Sequence, residues 1–120
     1  MHEAGIALTL LETAERALAD RPAARVLRLV VRVGELAGVS AGALDFAFTC
    51  LRPGTRLDGA SLVIESVPLA LDCEACGRRT SVENLVFLCG ACGSPRGRIA
   101  TGRELELHSL EIAEEDPPRD

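Results

Sequence analysis

The sequence contains no tryptophan, no tyrosine and no lysine, and its only aromatic residues are Phe46, Phe48 and Phe87. A core built from it must be aliphatic, carried by Leu, Val and Ala. Stacking platforms for bases are missing, and a formal charge of −5 supplies no basic face. Nucleic acid is therefore not an expected partner. No apolar run reaches the roughly 18 residues that a bilayer-spanning helix needs. Glu3 stands where a signal peptide carries positive charge, and Glu12 and Glu15 interrupt the apolar stretch behind it. These features predict a cytoplasmic protein with no membrane partner. In that reducing compartment, five cysteines among 120 residues point to metal or redox chemistry rather than to structural disulfides. The length suits one domain, or one domain carrying a small insertion.

Ile6, Ala7, Leu10, Leu11, Ala14, Ala17 and Leu18 recur at helical spacing and predict an amphipathic helix over 4–19, ended by Arg21-Pro22. Alternation predicts a strand over 25–33, with Leu27, Leu29, Val31 and Val33 inward and Arg28 and Arg32 outward. Ser40 can cap a second helix over 41–51, with Leu44, Ala47, Phe48 and Leu51 on one face. Cys50, on that helix, reads as a small buried apolar residue. A second strand is expected over 61–71, and Pro68 makes its far part an edge or takes it out of the sheet. A last strand over 103–112 changes parity between Leu107 and Leu110, which a bulge near Ser109 reconciles. His108 on this strand reads as exposed or as a packing residue. The expected fold is α+β: two helices packed on one face of a three-stranded sheet, with a cysteine-rich insert before the last strand. Residues 1–71 and 102–113 form the main domain in this reading, 72–101 the insert, and 114–120 a disordered tail.

The insert reads Cys73-Glu-Ala-Cys76-Gly and Cys89-Gly-Ala-Cys92-Gly. Each C-x-x-C turns two sulfurs toward one metal, and the following glycine lets the backbone fold beneath them. Two such knuckles give four thiolates, which suits tetrahedral Zn²⁺ bound structurally. The insert is too short to bury a core of its own, so the metal is expected to fold it. Four closed ligands leave no open position, so no catalysis is expected at this metal. A rubredoxin-like iron site is the alternative, though such sites sit against aromatic rings and only Phe87 is at hand.

The first residues, Met1-His2-Glu3, offer a second metal chemistry. The α-amine titrates near 8, so a good fraction is neutral at cytosolic pH. The His2 amide nitrogen closes a five-membered chelate ring with it, and the His2 Nδ1 closes a six-membered ring. The Glu3 amide can add another. Deprotonated amides favour square-planar Ni²⁺ or Cu²⁺. The plain alternative is a solvated terminal histidine.

These pieces resemble the HypA/HybF family of hydrogenase maturation proteins. MHE at the start, VRVGELAGV at 31–39, ALDFAF at 43–48, LVIESVPL at 62–69, the paired knuckles and GRELELHSLEI at 102–112 carry the resemblance across nearly the whole chain. It implies a nickel metallochaperone rather than an enzyme, with Ni²⁺ as transient cargo at Met1, His2 and Glu3 and structural Zn²⁺ at Cys73, Cys76, Cys89 and Cys92. It implies delivery to the [NiFe]-hydrogenase large subunit with a maturation GTPase, by a monomer or weak homodimer. Position 5 is Gly where relatives often have Ser. Ser40 stands in a loop where some relatives place a carboxylate, which leaves a fourth nickel ligand unassigned. A zinc-ribbon adaptor for protein or nucleic acid, without a nickel role, is the alternative function.

Overall fold

The computed structural model describes residues 2–114. Helix α1 spans Glu3–Ala17, and its inward side chains Ala7, Leu10, Leu11 and Ala14 keep the expected spacing. The helix ends two residues earlier than its apolar pattern suggests, through tight bonds from Leu18 N–H to Glu15 C=O and from Ala19 N–H to Arg16 C=O. Arg56 then seals this end: its Nη1 donates to the carbonyls of Leu18 at 2.9 Å and Arg21 at 3.0 Å. Carbonyls left over at the helix terminus thus find a partner.

Strand β1 covers Ala24–Gly34, and Leu29, Val31 and Val33 are buried as alternation predicts. Leu27 is a correction: it is 42% exposed, while Val26 is buried. Leu27 and Arg28 face outward in succession and reset the alternation, so the parity before them is inverted. Helix α2, Ala41–Leu51, starts at the predicted cap, where Ser40 Oγ accepts the Ala43 N–H at 3.3 Å. Leu44 and Phe48 are its buried residues, α1 and α2 pack on each other, and Leu51 is exposed.

The expected single strand over 61–71 is two strands, β2 at Ser61–Val67 and β3 at Ala70–Cys73. Pro68 lacks an N–H to continue the ladder, so the chain changes sheets there. Two further strands, β4 at Arg79–Ser81 and β5 at Gly97–Thr101, lie inside the cysteine segment. Both pair antiparallel with β3: Leu71 faces Thr80 on one side and Ile99 on the other. Strand β6, Leu105–Glu114, has His108 and Ser109 both exposed where the parity changes.

The fold is α+β, with sheet orders β2-β1-β6 and β4-β3-β5. The chain divides into two compact units. Among the described residues, one contains α1, β1 as far as Val31, Val39–Ile64 with α2, and 107–114; the other contains Arg32–Gly38 and Glu65–Glu106. The first has a largely aliphatic core that includes the inward face of α1, Leu29, Leu44 and Leu57, with the aromatic Phe48 buried among its largest side chains. The second has a small one of Leu69, Leu71 and Val82, against which Ile99 packs. Two of these four residues come from outside 72–101, so the cysteine segment borrows its core. Met1 and the tail beyond Glu114 lie outside the described residues.

Candidate metal centres

In the second unit, the four sulfurs of Cys73, Cys76, Cys89 and Cys92 all lie within 4.8 Å of one another. The two knuckles have matching geometry. Sγ of Cys73 accepts the N–H groups of Ala75 at 3.3 Å and Cys76 at 3.4 Å. Sγ of Cys89 accepts those of Ala91 and Cys92, each at 3.4 Å. Each turn closes with the glycine N–H donating to the first cysteine's carbonyl, Gly77 to Cys73 and Gly93 to Cys89. Both glycines have φ near +77°, at 76° and 77°, a conformation that costs glycine nothing and other residues strain.

The electrostatics follow from these amides. The Cys92 and Ala91 N–H groups pull the Cys89 thiol down to about 6. The Cys76 N–H, helped by that of Ala75, likewise lowers Cys73. Cys73 and Cys89 are buried, whereas Cys76 and Cys92 are exposed. Across the knuckles, Cys73 to Cys92 and Cys76 to Cys89 are each 3.6 Å sulfur to sulfur. Tetrahedral zinc with bonds of about 2.3 Å places its sulfurs roughly 3.8 Å apart, so the donor set fits that ion.

Strands β3 and β4 position this cluster. Cys73 ends β3, and Thr80 on β4 reaches the second knuckle, its Oγ1 accepting the Gly90 N–H at 3.0 Å. A forked pair from Arg79 to Asp72, at 2.7 and 3.0 Å, ties β4 to β3 beside the site, and Arg79 holds the Asp72 carboxyl below its ordinary range. Thr80 is a supporting residue that the sequence does not flag, because nothing marks β4 as a strand.

In the first unit, His2 is exposed and serves as the N-cap of α1, its carbonyl accepting the Ile6 N–H at 2.9 Å. Its side chain makes no capping bond. Glu3 is buried, at 7% exposure, and its Oε2 accepts the Ser40 N–H at 3.2 Å. The positive chain terminus, then the Ser40 amide, hold the Glu3 carboxyl down to about 2. His108 is exposed on β6. Cys50 is also exposed, a correction to the buried reading: α2 turns only Leu44 and Phe48 fully inward, and Cys50 lies off that stripe.

Comparison with known proteins shows the family. Residues 1–112 match the HypA family, described as hydrogenase/urease nickel incorporation metallochaperones. A hydrogenase maturation factor HypA from Roseiflexus sp. strain RS-1 is 44% identical over 118 residues, covering 98% of this chain and 96% of the relative. A solution structure of a HypA protein superimposes with a TM-score of 0.73 at 27% identity, over 96% of this chain and 98% of the other. A solution structure of the Ni metallochaperone HypA from Helicobacter pylori gives 0.67 at 26% identity, over 96% of this chain and 100% of the other. The match is with a family of metallochaperones, not of enzymes. On this evidence the chain belongs to the HypA family of hydrogenase maturation factors.

Proposed function

We propose that this protein carries Ni²⁺ at its amino-terminal segment and hands it to the large subunit of [NiFe]-hydrogenase, with a maturation GTPase as its working partner. The nickel ligands are the Met1 amine, the first amide nitrogens and the His2 imidazole, with Glu3 in support. Residues 1–71 with 102–113 act as the nickel-binding domain, and 72–101 as an insert folded by Zn²⁺ on Cys73, Cys76, Cys89 and Cys92. When bound, that zinc supplies cross-linking of the two knuckles and no reaction chemistry, since four thiolates fill its coordination sphere. The protein works in the cytoplasm, as a monomer or weak homodimer.

The observation that carries this reading is the state of His2: an exposed imidazole, uncommitted to capping, at the start of a helix. Chelate geometry needs just such a free ring beside the first amides. A carrier must also release its cargo. Protonation of the amine and imidazole, or a partner drawing the terminus away, serves that purpose. Copper outranks nickel at nitrogen sites, so selectivity comes from geometry, metal supply and docking.

The test is a metal count on untagged protein with an optical spectrum after Ni²⁺ addition. One zinc per chain and a yellow planar-nickel band support the proposal. Red protein with one iron per chain, or no nickel band, contradicts it.

A further inference from the structure

We propose that the backbone amide of Ser40, at the N-cap of α2, positions the nickel-binding terminus by holding the Glu3 carboxylate. The inference rests on the terminal nickel site above and assigns it an anchor. Ser40 is a positioning residue in this account, acting through Glu3 and touching no nickel.

Glu3 is one residue from the exposed His2, yet its own side chain is buried. Carboxylates are rarely buried without partners. Here the Ser40 N–H meets Oε2 at 3.2 Å. Ser40 is itself tightly placed. Its Oγ accepts the Ala43 N–H at 3.3 Å and its carbonyl accepts the Leu44 N–H at 2.9 Å. Leu44 is fully buried, and α2 packs on α1. The core of the unit thereby fixes where this amide points.

The first turn of α1 needs such a tie. His2 provides no side-chain cap, and Gly5, with nothing within 4 Å of its missing Cβ, adds backbone freedom to that turn. A frayed turn would have to be ordered each time nickel binds, which lowers affinity without changing a ligand. Nickel held by the amine, the first amides and the imidazole uses no atom of Ser40. Nickel therefore does not displace the Ser40 N–H, although it takes the chain-terminal amine that also faces Glu3. This also gives position 40 a role in a chain whose residue there is a poor metal ligand: its main chain acts, not its side chain.

The backbone angles allow a clean test. Ser40 has φ −79°, close to the value that proline enforces. Ser40→Pro removes the N–H and the Oγ cap, while Ser40→Ala removes the cap alone, so comparing the two isolates the amide. Untagged, zinc-loaded protein is titrated with NiSO₄ by calorimetry and by visible spectroscopy. S40P is expected to bind Ni²⁺ about tenfold more weakly than S40A, the loss of a hydrogen bond to a charged group. The nickel band keeps its position, because the donor set is unchanged. Should S40P lose zinc or helical signal, Glu3→Asp carries the test: the charge stays, one methylene less breaks the reach to Ser40, and a similar weakening is expected. S40P matching S40A, a shifted band, or E3D binding like the parent overturns the anchor. A His2→Ala protein that binds nickel as the parent does overturns the terminal site itself, so the two failures are distinguishable.

Discussion

Replacing Gly34 with alanine probes a close backbone crossing in the second unit. A Cβ at Gly34 would stand 2.1 Å from both the carbonyl carbon and oxygen of Gly102, and 2.6 Å from the Arg103 nitrogen. Carbon contacts need about 3.5 Å, so the two segments must part by more than about 1 Å. The neighbours are backbone atoms and cannot rotate aside. Gly102 has no slack to give, since it sits at φ +119° with its own Cβ position 2.9 Å from Leu69 Cα. The same segments are joined by Gly34 N–H to Glu104 C=O and Leu36 N–H to Gly102 C=O, both at 2.7 Å. Parting by an ångström carries both beyond hydrogen-bonding range. Overpacking costs about 1–3 kcal/mol and each lost bond about 1 kcal/mol, which together give about 3–5 kcal/mol. For a chain of this length the melting temperature should fall by roughly 10–20 °C. Scanning calorimetry on zinc-loaded protein, with urea unfolding alongside, measures it. A variant melting within about 2 °C of the parent would refute the crossing.

Gly42→Ala should act in the opposite direction, because nothing lies within 4 Å of its Cβ position in α2. Urea titration should show a gain of about 0.5–1 kcal/mol, and a loss would contradict the open site. Phe48→Ala empties a position that is 1% exposed and should cost about 3–5 kcal/mol by the same titration. Thr80→Val leaves the Gly90 N–H without its 3.0 Å acceptor and should weaken zinc retention roughly tenfold in a chelator competition, with the four cysteines intact.

Much of the fold was legible where local chemistry decides it. Ser40 announced α2 because a hydroxyl cap acts within three residues, and the apolar spacing of α1 survives folding as a buried face. Pro68 was readable as a point of departure, since its missing N–H holds in any context. Strands β4 and β5 were not readable: three and five residues among glycines and arginines carry no period, and only pairing with β3 makes them strands. The parity of β1 failed at Leu27 because a local reset obeys no sequence rule. Cys50 failed for a related reason, since a short helix rich in apolar residues does not say which stripe it buries. The cysteine cluster was legible because two C-x-x-C turns build their own geometry, whereas Thr80 depends on β4. Glu3 gave no signal of burial. A carboxylate next to a chain end normally faces water, and the long-range contact with Ser40, which no local pattern announces, ties this one inward.

The central claim is that the free amine, the first amides and the His2 imidazole bind nickel as one unit. Calorimetric Ni²⁺ titration of untagged protein, beside a version with one residue added before Met1, tests it most directly. The account predicts that the added residue abolishes the high-affinity site and its planar-nickel band while zinc content stays at one per chain. Equal affinity and an identical spectrum in the two proteins would contradict it.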